Sequence, residues 1–264
     1  MLAIFLAPVY ILANVFTAYW LLRWMKDTRP EVYRNIQFVF SAKDYIRFRL
    51  TGQAFSEATD ISGSGLMDVK NGRFCRDLLE SLGIGEVYDA LAPLRNSSDL
   101  CGQITDAAAS ATGLRPGTPV AGGMFDVDAC AIASAVTRPG QICTITGTWS
   151  INEFISDRPI LGTAIAMNSL YAIPGYYLLE ESSATSAGNL EWIIQNCIDT
   201  KGLSGGALYD YLAELAQGVD PGDSEVYYLP FLYGSNAHPL AKACFVGMTS
   251  YHTTAHMVRA VYEG

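Results

Sequence analysis

One carboxylate lies where a sequence can place a catalytic base. Asp126 follows a predicted strand, 119–121, and a pair of glycines, and it precedes a run of small, helix-compatible residues at 129–136. A carboxylate between a strand and a helix is expected to point into a cleft, where it suits a general base that takes a proton from an alcohol. The pattern leaves two alternatives open: Asp126 as the cap of the following helix, or Asp128 as the functional acid.

A second glycine turn, Gly147-Thr148, follows the predicted strand 141–146. Glycines at strand ends let backbone N–H groups approach an anion, so this turn is a candidate phosphate-binding loop. An ordinary turn between hairpin strands explains the same pattern. No G-x-x-x-x-G-K-[ST] motif occurs. Two later segments have a similar character, a Ser/Gly loop that opens a helix at 181–192 and a strand at 227–233 interrupted by Pro230.

Two histidines have the spacing of metal ligands. His252 and His256 lie four residues apart on a predicted helix, which allows both imidazoles to bind one ion. Only Glu263 offers a third ligand nearby, and no H-E-x-x-H motif occurs, which favours histidines with a structural or surface role. The Ser-rich segment 182–186 lacks a G-x-S-x-G motif and is not interpreted as a nucleophile. We therefore predict no metal site made of protein side chains.

Alternating strands and helices of the α/β type position these residues. Ser56 to Gly65 is rich in Ser, Thr, Asp and Gly and is interpreted as a polar loop. Residues 1–22 carry no charge, which permits either a membrane span of about 20 residues or a buried helix over 14–26. Polar and proline residues inside this stretch favour the buried helix. Further helices are predicted at 31–35, 43–50, 74–82 and 105–111.

Composition limits the classes of protein that fit. The 264 residues are half hydrophobic and only 16% charged, so the chain can bury a core as one large domain or two medium ones. A net charge of −9 argues against binding of nucleic acid or anionic lipid by bulk charge. The six cysteines lie far apart without a C-x-x-C pair, which is typical of reduced, mostly buried thiols in the cytoplasm.

Four segments, in the same order along the chain, resemble the FGGY carbohydrate kinases of the sugar kinase/actin-like ATPase superfamily. They are KDYIRFRLTG at 43–52, AGGMFDVDACAIA at 121–133, ITGTWS at 145–150 and ACFVGMTSYHTTAHMVRAVYE at 243–263. Within the family, LLRWMK, SAGNLEW and YLPFLYGSNA look most like the L-xylulose kinase group. The family's D-x-G-T-[ST] phosphate loop and its Gly-Gly adenosine motif do not occur here, so the resemblance predicts that the chain is an internal part of such a kinase.

The resemblance implies an α/β fold of the ribonuclease H-like, actin-like type, with two lobes around a cleft and each lobe partial in this chain. It assigns residues 1–137 to the N-terminal lobe and residues 138–264 to the C-terminal lobe. The implied activity is phosphorylation of a sugar hydroxyl by ATP with Mg²⁺, on a ketopentose such as L-xylulose. The implied protein is cytoplasmic, bound to neither membrane nor nucleic acid, with a homodimer as one candidate assembly.

The resemblance also implies roles for individual residues. Asp126 becomes the general base and a sugar contact, Gly147 and Thr148 hold the phosphates of ATP, and Gly188 lets the backbone lie against the nucleotide. Asp60 is a candidate to bind sugar hydroxyls, although a surface loop explains it equally well. The other hypothesis is a catalytically inactive, actin-like kinase fragment that acts as a binding or scaffold protein.

Overall fold

The chain forms two compact units. They are Met1–Cys143 with Glu153–Glu180, and Thr144–Asn152 with Glu181–Gly264. The computed structural model describes residues 9–12, 18–147, 149–160, 167–183, 186–222, 224–234, 238 and 240–264.

Short strands alternate with short helices in the first part of the chain. In order they are β1 (Val9–Leu12), α1 (Ala18–Thr28), α2 (Pro30–Tyr33), β2 (Ile36–Phe40), α3 (Ala42–Thr51), β3 (Ser56–Glu57), α4 (Ala58–Ser62), β4 (Met67–Asp68), β5 (Arg73–Phe74), α5 (Arg76–Ser81), β6 (Leu94–Arg95), β7 (Leu100–Gln103), α6 (Asp106–Thr112), β8 (Pro119–Ala121) and α7 (Asp126–Ala133). Short 3-10 helices lie at Val69–Asn71 and Gly85–Ala90. Strands β1 and β2 pair in parallel, and β7 and β8 pair antiparallel.

Helix α3 shows why the local sequence specifies these elements. The hydroxyl of Ser41 accepts a hydrogen bond from the Asp44 N–H (3.3 Å), which caps the first turn. Gly52 ends the helix in the left-handed conformation, with φ of 71°, as the predicted stop at Thr51-Gly52 requires. The helices predicted at 31–35, 74–82 and 105–111 also occur, with ends shifted by one or two residues.

The core of the first unit lies against α1. Ala18, Leu22 and Met25 are spaced for one face of a helix, and they pack with Val39 of β2 and Leu79 of α5. Helix α1 is the described part of the buried helix predicted over 14–26, whose residues 14–17 lie outside the described chain. Among the described residues, no helix combines the length and the apolar character needed to cross a bilayer.

The predicted polar loop at 56–65 is wrong. This stretch forms β3 and α4, and most of its side chains are buried, Glu57 and Ile61 among them. The polar side chains bond within the protein instead of with water: the carboxylate of Glu57 accepts hydrogen bonds from the N–H groups of Thr59 (3.1 Å) and Asp60 (3.2 Å). Polarity therefore did not indicate exposure here, because the buried carboxylate of Glu57 and the buried hydroxyls of Thr59, Ser62 and Ser64 bond within the protein.

The later strands and helices build the rest of both units. They are β9 (Ile142–Thr146), β10 (Ser150–Ser156), β11 (Met167–Leu170), β12 (Tyr177–Ser183), α8 (Ala187–Cys197), α9 (Gly205–Gln217), β13 (Tyr227–Leu229), β14 (Cys244–Val246) and α10 (Thr254–Glu263). Four of the strands form a sheet in the order β11-β12-β10-β9. In the second unit, Ile193 of α8, Tyr228 of β13 and Val261 of α10 share one apolar cluster.

All six cysteines lie in the described chain and none forms a disulfide. Cys101 and Cys143 are buried, as predicted. Cys130, Cys197 and Cys244 are exposed, so the expectation of mostly buried thiols is wrong for these three. Each lies on a short element whose other side meets the core, and residue type alone does not tell which side a cysteine takes.

Candidate functional site

The turn that leads into Asp126 is held by hydrogen bonds from its backbone N–H groups to the backbone of residues 97–99. The N–H of Gly122 donates to the carbonyl of Asp99 (2.9 Å), and the N–H of Gly123 donates to the carbonyl of Ser97 (3.0 Å). A Cβ atom at Gly122 would overlap the carbonyl oxygen of Asn96, and Gly123 has φ of +78°. Glycine is therefore required at both positions, once for close approach and once for conformation.

Two side chains from earlier segments, Arg47 and Thr59, also form hydrogen bonds with the backbone of this turn. Arg47, almost fully buried on α3, donates from its guanidinium to the carbonyl of Gly122 (2.5 Å). The hydroxyl of Thr59 accepts a hydrogen bond from the N–H of Phe125 (2.9 Å). The backbone is thus fixed on both sides of the turn before it reaches Asp126.

Asp126 is the first residue of α7, and its side chain is exposed. Phe125 occupies the N-cap position, with φ of −59° and ψ of 147° and no capping side chain. The alternative in which Asp126 caps this helix is therefore wrong. Among the described residues, its carboxylate accepts one hydrogen bond, from the N–H of Val127 (2.9 Å). The helix begins three residues before the predicted start because the first turn includes both aspartates.

Asp128 has the opposite environment. It is fully buried, and one carboxylate oxygen accepts a hydrogen bond from the N–H of Ala172 (2.7 Å). Its other oxygen has no partner among the described residues. Burial raises the pKa of Asp128 to about 8, with smaller contributions from the charges of Glu57 and Glu153, while the Ala172 N–H opposes the shift. A pKa of about 8 favours the protonated form of Asp128 at neutral pH, and burial keeps its side chain away from solvent.

A buried group of charged side chains lies behind the turn. The ammonium group of Lys43 contacts the carboxylates of Asp44 (3.0 Å), Glu57 (3.2 Å) and Asp60 (3.7 Å), and Arg47 pairs with Asp44 at 2.8 Å. Burial raises the pKa of Asp60, and the nearby ammonium of Lys43 opposes that shift. Asp60 is thus part of a helix and a charge cluster instead of the predicted loop, with 15% of its side chain exposed.

The second unit contains the other predicted site residues. The carbonyl of Gly147 accepts a hydrogen bond from the N–H of Ala187 (3.1 Å), which brings the turn after β9 next to the start of α8. Gly188 lies in the first turn of that helix, and a Cβ atom there would come within 3.3 Å of the ring of Tyr233, closer than an ordinary van der Waals contact. Thr148 lies outside the described residues.

A cavity of about 480 Å³ opens beside these glycines. Its lining includes Thr146 and Ser150 at the ends of β9 and β10, Ser186 and Asn189 at the start of α8, and Tyr262 of α10. The positive end of the dipole of α8 lies at this cavity, so the site favours an anion. The cavity therefore combines polar groups, an apolar wall and a helix N-terminus.

The two histidines are engaged in local backbone contacts. His252 precedes α10, so the prediction that both lie on one helix is wrong. Its Nδ1 atom accepts a hydrogen bond from the N–H of Thr249 (2.9 Å), and Nδ1 of His256 accepts one from the N–H of Thr253 (3.2 Å). Within the described part of the chain, no three His, Cys, Asp or Glu side chains form a group that could hold a metal ion.

Sequence reasoning missed the residues that hold Asp126 in place. Lys43, Glu57 and Thr59 each lie more than 60 residues before Asp126, in segments interpreted as helix or loop. A usable signal was the concentration of charged residues between 43 and 60, Lys43 and Glu57 among them, in a chain of which only 16% is charged. Asp126 and Asp60 belong to the first unit, and Gly147 and Gly188 to the second.

Both parts of the chain match models of one protein family. Residues 8–133 match the N-terminal domain of the FGGY family of carbohydrate kinases, and residues 143–264 match its C-terminal domain.

Curated relatives have related descriptions. A protein of Pasteurella multocida described as a probable L-xylulose kinase is 36% identical over 246 residues, which is 92% of this chain and 49% of that protein. The L-xylulose/3-keto-L-gulonate kinase of Escherichia coli is also 36% identical, over 92% of this chain and 48% of its own length. The chain spans about half the length of the curated relatives that it matches.

Solved structures show the same fold. The xylulose kinase of Rhodospirillum rubrum superimposes with a TM-score of 0.82 at 27% identity, covering 92% of this chain and 48% of that one. The Plasmodium falciparum glycerol kinase with ADP has a TM-score of 0.78 at 16% identity, covering 92% and 49%, and this likeness concerns the fold alone. The predicted α/β, actin-like fold class is confirmed.

Proposed function

The chain belongs to the FGGY family of carbohydrate kinases, and from this membership we propose that the natural protein containing it transfers the γ-phosphoryl group of ATP to a sugar hydroxyl. The observation that carries the proposal is the exposed carboxylate of Asp126, which begins α7 directly after a turn whose backbone is fixed on both sides. The proposed sugar is a ketopentose such as L-xylulose, because curated relatives at 36% identity are described as L-xylulose kinases.

Asp126 acts as the general base in this proposal. An alcohol is a poor nucleophile at neutral pH, and a carboxylate within hydrogen-bond reach accelerates its attack by about 10²–10⁴-fold. The sugar hydroxyl gives its proton to Asp126 while its oxygen bonds to the γ-phosphorus. The bond between that phosphorus and the β–γ bridging oxygen breaks, and ADP leaves with the electron pair. The burial of Asp128 and its raised pKa support Asp126 over Asp128 in this role.

The nucleotide is proposed to bind in the cavity of the second unit. Its support is the volume of about 480 Å³, the start of α8 and the glycines at 147 and 188, which carry no side chain of their own beside it. Thr148 is retained as a phosphate ligand on the resemblance alone. Mg²⁺ would come as part of the ATP substrate, held by its phosphates, and would offset the charge that the leaving group gains.

The sugar is proposed to contact Asp126 and Asp60. The carboxylate of Asp60 is mostly buried but keeps an exposed edge, and such an acceptor binds hydroxyl groups with defined direction. If this contact forms, Asp60→Asn raises the KM for the sugar and leaves the KM for ATP unchanged in steady-state kinetics. Equal changes in both constants contradict this assignment.

The remaining parts of the proposal concern organisation. The two family models meet between residues 133 and 143, which supports a lobe boundary at 137/138, although residues 153–180 pack with the first compact unit. The cytoplasm is the proposed location because it supplies ATP and keeps thiols reduced. A homodimer is retained as a candidate assembly.

Sugar-dependent release of ADP tests the proposal. The natural protein is mixed with ATP and Mg²⁺ and offered L-xylulose, D-xylulose, ribulose and glycerol in turn, in a coupled assay. We expect release that requires sugar, with the highest kcat/KM for L-xylulose. If ATP binds in a calorimetric titration but no sugar promotes ADP release, the inactive binding protein is the correct interpretation. If neither occurs, the kinase assignment fails for this protein.

A further inference from the structure

We propose that Thr59 is a positioning residue for the Asp126 base. This inference rests on the proposed function, since it concerns how the attacking hydroxyl and the carboxylate are aligned. Its basis is the hydrogen bond that the Thr59 hydroxyl accepts from the N–H of Phe125, directly before Asp126 (2.9 Å).

The direction of the Thr59 hydroxyl is fixed by Glu57. A threonine hydroxyl has one proton to donate and two lone pairs to accept with. The proton goes to the Glu57 carboxylate at 2.7 Å, so the lone pairs are left for the N–H of Phe125. Both Thr59 and Glu57 are buried, which shields this chain of hydrogen bonds from competing water.

Glu57 is in turn held from several directions. Its carboxylate accepts hydrogen bonds from the hydroxyl of Ser97 (2.8 Å), the ammonium of Lys43 (3.2 Å) and the N–H of Asp60 (3.2 Å). These donors come from three separate segments of the first unit. The position of the Thr59 hydroxyl is therefore set by the fold and does not depend on a single rotamer.

The contact matters for catalysis because of where Phe125 lies. Phe125 is the N-cap residue of α7, and the N–H that Thr59 holds belongs to the Met124–Phe125 peptide, one peptide before the one that carries Asp126. A tilt of the Met124–Phe125 peptide turns the backbone at Phe125 and moves the carboxylate away from the line between the sugar oxygen and the γ-phosphorus. A misplacement of about 1 Å at a reacting group lowers a rate by about 10²-fold. Thr59 does not touch the substrate in this scheme and acts only through the backbone.

A pair of substitutions separates the hydroxyl from the bulk of the side chain. Thr59→Val keeps the shape and removes the hydroxyl, whereas Thr59→Ser keeps the hydroxyl. In the natural protein we expect Thr59→Val to lower kcat by about 10-fold to 100-fold, with the KM for ATP unchanged. Thr59→Ser is expected to retain kcat within about 3-fold, because its hydroxyl meets the same partners. Equal losses of kcat in the two variants overturn the proposal.

A matched control removes the general effect of losing a buried hydroxyl. Thr51 is also buried in the first unit, and its hydroxyl donates to the carbonyl of Arg47 (2.9 Å). Thr51→Val is expected to lower the melting temperature as Thr59→Val does, while kcat stays at the wild-type value. An equal fall of kcat in both valine variants assigns the effect to stability and overturns the proposal.

A double-mutant cycle with Asp126→Asn completes the test. If Thr59 acts through Asp126, Thr59→Val has no further effect on the residual turnover of Asp126→Asn. An additional loss equal to that in the wild type overturns the positioning role. The proposed function fails by a different result, the absence of sugar-dependent ADP release from the wild type, and the base role fails by wild-type turnover in Asp126→Asn alone. These failures are therefore distinguishable.

Discussion

Replacing Asp128 with asparagine is expected to change how the stability of the protein depends on pH. The folded protein raises the pKa of Asp128 to about 8, and the unfolded chain returns it to its ordinary value of 3.8. Between these values the folded state holds a proton that the unfolded state releases. The unfolded state therefore binds fewer protons in this window, and the free energy of unfolding falls as the pH rises through it.

The structure sets the size of this effect. Each group in such a window lowers the free energy of unfolding by about 1.4 kcal/mol per pH unit, or by about 3 kcal/mol between pH 5 and pH 7. Asparagine does not ionise, and its side-chain oxygen can still accept the hydrogen bond from the Ala172 N–H. The stability of Asp128→Asn relative to the wild type should consequently increase by about 3 kcal/mol from pH 5 to pH 7.

Urea unfolding at several pH values, followed by circular dichroism, measures this difference. Glu153→Gln is a useful comparison, because burial, followed by the charges of Glu180 and Asp126, raises the pKa of Glu153 to about 8. It should show a change of the same sign. If the difference between Asp128→Asn and the wild type stays constant from pH 5 to pH 7, Asp128 is ionised in the folded protein and the reasoning is refuted.

Two glycines of the second unit give further predictions. Gly247 has φ of +88°, and a Cβ atom there would overlap the carbonyl oxygen of Glu225. Gly247→Ala should therefore lower the free energy of unfolding, measured with urea, by about 1–3 kcal/mol or more. Unchanged stability contradicts this. Gly188→Ala should leave stability nearly unchanged, because the exposed ring of Tyr233 can move, but it should raise the KM for ATP. Gly206→Ala, with open space around it, is the control, and an equal change of KM there contradicts the assignment of the nucleotide cavity.

The sequence specified those elements whose determinants are local. Strand β8 has the predicted bounds, and α3 ends at the predicted glycine, because caps and left-handed glycines depend on neighbouring residues. The order of strand, glycine turn and helix around Asp126 was also predictable for the same reason. The exact start of α7 was not, since small residues fit a helix and a turn almost equally well.

The surroundings of Asp126 depend on distant segments and could not be predicted from local pattern. Thr59 reaches a backbone group 66 positions along the chain, and Ser97 reaches Glu57 across 40 positions. Asp126 and Asp128 look alike in sequence, yet Asp126 is exposed and Asp128 is buried. The N–H of Ala172, 44 positions along the chain, donates to the buried carboxylate of Asp128. Burial of this kind is decided by tertiary packing.

The most direct measurement is the rate of phosphoryl transfer from ATP to L-xylulose in a single turnover, for the wild type and for Asp126→Asn. Wild-type melting temperature and ATP affinity in the variant establish that the fold and the nucleotide site are intact. We expect the variant to transfer the phosphoryl group about 10²–10⁴-fold more slowly. Transfer at the wild-type rate by this variant would contradict the assignment of Asp126 as the base.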